Sequence, residues 1–146
     1  MSLTFFVAGT PAPQGSKRAF IHKRGKRAGR IGMVEMSKRV KPWREMVASC
    51  AMGASRLHDF DLRAMPCPVP KGTPVQVKIL FWLSQPKTLR SQKPTKRPDL
   101  DKLVRSTLDA LTGIIYEDDS QVVSIITEKD WASTQSGATI TVTAIQ

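Results

Sequence analysis

The chain has 146 residues, which gives room for one domain with its own hydrophobic core and too little for two ordinary ones. Its 23 Lys and Arg against 12 Asp and Glu give a formal net charge of +11 and a pI near 10.2, a balance that favours a polyanion, either nucleic acid or an anionic membrane surface. The longest apolar stretch, residues 79–83, is far short of the roughly 20 residues of a spanning helix, and Cys50 and Cys67 lack CxxC spacing and are too few for a disulfide framework, which fits free thiols in a reducing, cytoplasmic compartment.

The N-terminal residues lack a basic n-region and do not resemble a secretory signal. Leu3, Phe5 and Val7 alternate with Thr4, Phe6 and Ala8 before Pro11 and Pro13, the pattern of a strand that ends near Ala8. Residues 17–44 carry eleven basic side chains and a single acid, Glu35, with Gly25, Gly29 and Gly32 among them and Gly15 just before; this reads as a flexible basic loop. Val40, Trp43, Val47, Ala51 and Ala54 then recur at spacings of three and four, which predicts a helix over 38–56 with Ser37 as a candidate cap. Residues 65–74 are too rich in proline for a helix or a central strand. Val75, Val77, Ile79, Phe81 and Leu83 fall on one side of an extended segment. A second basic loop, residues 85–96, leads into a helical stripe of Leu100, Leu103, Val104, Leu108 and Leu111 that stops at Gly113. Two alternating segments, 122–128 and 138–145, close the chain, with Ser136-Gly137 in the turn between them. The order strand-helix-strand-helix-strand-strand predicts a single α+β domain spanning 1–146, with a mixed sheet and two main helices.

In so basic a chain the informative residues are the acids, and six of the twelve lie between positions 99 and 119: Asp99, Asp101, Asp109, Glu117, Asp118 and Asp119. Crowded like charges are unfavourable unless a cation neutralises them, so the cluster points to a divalent metal. Five of the six also have a plainer reading. Asp99 after Pro98 suits a helix cap, Asp109 is spaced to pair with Arg105, and Glu117-Asp118-Asp119 suits a polar turn. With Asp99 still extended at the helix boundary, its carboxylate can converge with that of Asp101. Hard oxygen donors of this kind are what Mg²⁺ requires.

The run Arg97-Pro-Asp-Leu-Asp-Lys-Leu-Val-Arg-Ser-Thr-Leu-Asp-Ala-Leu-Thr-Gly113, followed by Asp118-Asp-Ser-Gln121, resembles the signature of the RusA family of Holliday junction resolvases. So does the N-terminal Val7-Ala-Gly-Thr-Pro-Ala-Pro-Gln-Gly-Ser-Lys-Arg18, and the likeness therefore spans most of the chain. The resemblance implies an endodeoxyribonuclease that resolves four-way junctions by paired nicks in DNA recombination and repair, in bacteria or phage-infected cells. It implies Asp99, Asp101 and Asp119 as ligands of an essential Mg²⁺, for which Mn²⁺ can substitute, with Asp118 as a neighbour that assists or shapes the turn. It also implies a homodimer, whose two-fold symmetry matches that of its branched DNA. Two positions depart from the family pattern: Lys102 stands where Asn is common, and Arg105 where a functional Lys is usual.

On this reading Lys102 and Arg105 face the scissile phosphate. Lys17, Arg18, Lys23, Arg24, Lys26, Arg27 and Arg30 of the first loop and Lys93, Lys96 and Arg97 of the second position the DNA backbone. Neither His22 nor His58 has metal-ligand spacing, and no Ser-His-Asp or Cys-His pattern supports covalent catalysis. Trp43 and Trp82 fit core positions in their helix and strand. Two rival readings remain: a basic nucleic-acid-binding module without catalysis, and a metal-dependent nuclease directed at flaps, forks or duplex. No membrane span is expected.

Overall fold

The computed structural model describes residues 1–15, 17–21, 25, 31–35, 38–61 and 63–146, of which 17–21 and 31–35 are described as backbone. The elements are β1 (Ser2–Ala8), β2 (Lys17–Ile21), β3 (Ile31–Glu35), α1 (Val40–His58), β4 (Val75–Leu83), α2 (Leu100–Leu111), a short 3₁₀ turn (Asp119–Gln121), β5 (Val122–Trp131) and β6 (Gly137–Ala144). The α+β class, the two helices and the mixed sheet follow the sequence expectation.

Residues 17–44 differ from the expected loop, because β2 and β3 pair antiparallel as a two-stranded ribbon. The β-prone pieces Ala19-Phe20-Ile21 and Ile31 to Val34 carry that pairing, and the surrounding charges hide it from a reading based on alternation. Ser37, the suggested cap, lies outside the described residues, and α1 instead begins after Arg39, which makes no side-chain capping bond. Pro42 falls in the first helical turn, where its missing N–H would have had no intrahelical partner.

The sheet order is β1-β6-β4-β5, antiparallel except for the parallel pair β4–β5. Parallel neighbours need a crossover connection, and α2 supplies it. The helix therefore runs back along the strands, its N-terminus at the C-terminal end of β4 and its C-terminus near the start of β5. Both helices cover one face of the sheet, α1 against β1 and α2 against β5, and they pack on each other. Val75, Val77, Ile79 and Phe81 of β4, Ala138, Ile140 and Val142 of β6, Trp43 and Val47 of α1, and Leu103 and Leu111 of α2 form one contiguous core.

Trp43 is buried there, as expected, whereas Trp82 is half-buried on the opposite face and donates to Thr139 Oγ1 at 3.0 Å. At the start of β6, Gly137 has φ +155° and packs so closely on the Val7 carbonyl that a Cβ would collide with it. Among the described residues no strand pairs with the outer edge of β5. Val123, Ile125 and Ile126 are exposed there, Val123 by 63%.

Candidate active site

The chain before α2 is fixed by β5. Lys129 Nζ donates to the carbonyls of Lys96 and Pro98 at 2.8 and 2.9 Å, and this holds the backbone that presents the next residue. Asp99 then occupies the N-cap with extended geometry, φ −70° and ψ 135°, and its carbonyl accepts from Leu103 N at 3.1 Å. Its carboxylate makes no capping bond. It lies exposed, 3.6 Å from Lys102 Nζ. Asp101 follows in the first turn, also exposed. Both acids sit at the positive end of the helix dipole, where negatively charged side chains are commonly found. Two hard oxygen donors left free of capping duty fit a divalent cation that keeps most of its waters. Arg105 is exposed one turn further along α2.

The second acidic group is built differently. Thr112 ends α2, and Gly113 turns the chain with φ +84°. Asp118 caps the 3₁₀ turn: its Oδ1 accepts from Ser120 N at 2.9 Å, and its own N–H donates to Gln121 Oε1 at 2.9 Å. The backbone amide and hydroxyl of Ser120 hold the Asp118 carboxyl below the ordinary aspartate range. Gln121 is buried, and its amide nitrogen donates to the carbonyls of Val69, Pro70 and Thr73 at 3.3, 2.9 and 2.9 Å. That side chain ties the turn to the proline-rich segment and to the entry of β4. Glu117 accepts from Lys71 N at 3.0 Å, while Asp119 is exposed.

The two acidic groups stand at opposite ends of the crossover. The 12 residues of α2 span roughly 18 Å at the usual helical rise. Asp99 adjoins Lys129 near the end of β5, and Asp118 and Asp119 precede its start. Consistent with this, no group of three or more His, Cys, Asp or Glu is placed to hold one metal ion among the described residues. One chain brings together Asp99, Asp101 and Lys102; it does not bring Asp118 or Asp119 to them. Asp109 pairs with Arg44 of α1 at 3.0 Å and so contributes to helix packing. His58 Nε2 accepts from Met65 N at 3.0 Å, a structural bond.

Beside Asp99 opens a cavity of about 740 Å³, with Arg39, Lys96, Arg97 and Lys102 among its lining residues. Lys96 and Arg97, expected to meet DNA, are exposed here; Lys93 instead forms an exposed ion pair with Asp130 at 2.6 Å. Lys17 and Arg18 lie on β2, where only the backbone is described. His22, Lys23, Arg24, Lys26, Arg27 and Arg30 lie outside the described residues. Arg39, Lys129 and Gln121 escaped the sequence reading as separate contributors. The first two carry no local motif, and the bonds of Gln121 reach back some 50 positions in the chain.

An exposed carboxylate pair at a helix mouth, ringed by cations, has the character of a phosphodiester-handling site. Residues 10–143 match the family described as Endodeoxyribonuclease RusA. This chain belongs to that family of endodeoxyribonucleases, whose members depend in general on divalent metal ions. It is also 30% identical over 139 residues, 87% of this chain and 86% of the relative, to "Uncharacterized protein YqaN" of Bacillus subtilis (strain 168). No helix among the described residues is long and apolar enough to cross a membrane.

Proposed function

We propose that this protein is a Mg²⁺-dependent, structure-selective endonuclease that resolves four-way DNA junctions by paired nicks in recombination and repair, acting as a homodimer. The observation that carries the reading is the uncapped Asp99–Asp101 pair at the mouth of α2, with Lys102 beside it and Arg105 one turn on, in a chain of the RusA family. A bound Mg²⁺, or Mn²⁺ in its place, supplies charge neutralisation at the phosphate and acidifies an attacking water. Asp99 and Asp101 hold it, with Asp119 as the third ligand. Lys102 and Arg105 neutralise and orient the phosphate oxygens, the planar guanidinium gripping two oxygens where an ammonium acts as a point charge. Lys96, Arg97 and the basic residues of 17–30 position the backbone without reading sequence.

Two features support the homodimer. The separation of Asp119 from Asp99 and Asp101 leaves the ligand set incomplete within one chain, and the β5 edge is free among the described residues and apolar at Val123, Ile125 and Ile126. Antiparallel pairing of two β5 edges about a two-fold axis sets the start of one strand opposite the end of the other. The Asp118–Asp119 turn of one protomer then lies at the Asp99–Asp101 end of its partner, twice over.

The reading is tested by incubating a labelled synthetic four-way junction and a matched linear duplex with wild type and Asp101→Asn, with and without Mg²⁺. Paired symmetric nicks confined to the junction, and dependent on both Mg²⁺ and Asp101, are expected. Tight junction binding without cutting would sink the catalytic reading, and equal cutting of the duplex would sink junction selectivity.

A further inference from the structure

The cavity beside Asp99 shares Asp99, Lys102, Lys96 and Arg97 with the metal and phosphate site, and the rest of its lining has no part in holding a metal or gripping the backbone. One wall is the segment after β1, fixed to α2 by Gln14 N donating to Lys102 O at 2.9 Å and by Ser106 Oγ donating to Ala12 O at 2.7 Å. The opposite wall is the segment between β4 and α2. Trp131 Nε1 donates to Ser91 O at 2.8 Å, and Lys129 holds the carbonyls of Lys96 and Pro98. Ser136, on the floor side, exchanges bonds with Gly9 through its hydroxyl at 2.8 Å and its carbonyl at 3.1 Å. The walls are therefore in place before any ligand arrives.

The lining combines an indole, Trp131, with Pro11, Pro13, Leu83 and Leu89, and adds Arg39, Lys96, Arg97 and Lys102 as cations. Its volume of about 740 Å³ lies within the roughly 300–1,000 Å³ of small-ligand clefts. A flat apolar group flanked by negative charge satisfies all of these demands at once, and that is the chemistry of a nucleotide. Aromatic and apolar side chains stack a base, while the cations meet its phosphates.

We infer that this cavity is a subsite for one unstacked nucleobase, belonging to a nucleotide adjacent to the scissile phosphate. The inference rests on the proposed junction-cutting function, because Asp99 and Lys102 line the cavity and also flank the phosphate. A phosphate bound at Asp99 and Asp101 delivers the neighbouring nucleoside to the mouth of the cavity. Intact duplex keeps its bases stacked and must expend energy to offer one, whereas the crossover of a branched molecule offers one cheaply. The cavity thus acts as a sensor of local unstacking, and selectivity for branch points arises within each protomer as well as from dimer geometry.

The test alters the DNA, so the wild-type fold is not at risk. A single abasic nucleotide is walked across the crossover of one junction strand, and affinity is measured in EDTA by gel shift, with cutting measured in Mg²⁺ alongside. Removal of one particular base at the crossover is expected to weaken binding roughly tenfold, the scale of one lost base–aromatic stack, with neighbouring positions indifferent. Trp131→Ala should bind the intact junction as weakly and lose the sensitivity to that abasic position; Trp131→Phe, which keeps a ring, should retain most of it. Uniform affinity for every abasic junction overturns the inference. Base-dependent binding in EDTA without any cutting in Mg²⁺ upholds the subsite while removing the nuclease reading.

Discussion

At the scale of single residues, the acidic turn shows how roles divide between neighbours of the same type. Asp118 is committed to a cap, so Asp119 is left as the exposed carboxylate of the pair. Gln121 holds three backbone carbonyls at once. Gln121→Leu should destabilise the fold by roughly 1–3 kcal/mol, since the Thr73 carbonyl and the Asp118 N–H both lose their partner, and urea unfolding would register this as a lower midpoint with an unchanged slope. Tyr116 offers a pH test, being the single tyrosine of the chain. Burial raises its phenol well above the usual tyrosine range, and the hydroxyl donates to Leu108 O at 3.1 Å. A folded pKa above the unfolded one stabilises the protein fully below about pH 10, and that stability is lost as the pH rises beyond it toward the folded value. Tyrosinate absorbance should therefore appear late on alkaline titration and together with loss of far-ultraviolet circular dichroism. A transition near pH 10 in a protein that is still folded would show that the phenol is not sequestered.

At the scale of elements, the contact between α1 and α2 contains one buried polar link, Trp43 Nε1 donating to Thr107 Oγ1 at 3.1 Å. Thr107 Oγ1 in turn donates to Leu103 O at 2.8 Å, so the hydroxyl serves both helices. Thr107→Val preserves the shape but strands the indole N–H in the core, a cost of about 1–3 kcal/mol. Thermal unfolding should shift down by several degrees on the scale expected for a chain of this size. Because α2 presents Asp99 and Asp101, the same variant should lower cutting at temperatures near its midpoint and leave it near normal well below. Equal stability of Thr107→Val and wild type would mean that the helices are held by apolar packing alone.

At the scale of the whole molecule, the separation of the two acidic groups along α2 makes a composite site testable by mixing. Asp101→Asn and Asp119→Asn should each be inactive as homodimers. In a heterodimer of the two, one composite site carries both lesions and the other carries neither. Co-refolded mixtures should therefore regain nicking at one strand of the junction while paired resolution stays depressed. If all ligands came from one chain, the mixture would stay inactive, and the β5-edge arrangement would be discarded with it.

The sequence by itself determined the α+β order, the buried faces of β4 and α2, the extended Asp99 at the helix boundary and the family signature, because these depend on periodicity and on side chains within a few positions of one another. Alternation is imposed by the strand repeat and the apolar stripe by the helical one, so both can be read before anything folds. The β2–β3 ribbon was hidden by a composition that resembles a loop. Only the tertiary structure decided that Asp109 pairs with Arg44 and that Lys129 fixes the backbone before Asp99. The same holds for the cavity that forms between segments more than 70 positions apart in the chain, at residues 11–13 and 84–98. It also separated Asp119 from Asp99 and Asp101 within one chain, although the family resemblance implied that the three share a metal ion. A parallel β4–β5 pair forces α2 to run the length of the sheet between them, and that single topological fact carries the acids at its two ends apart.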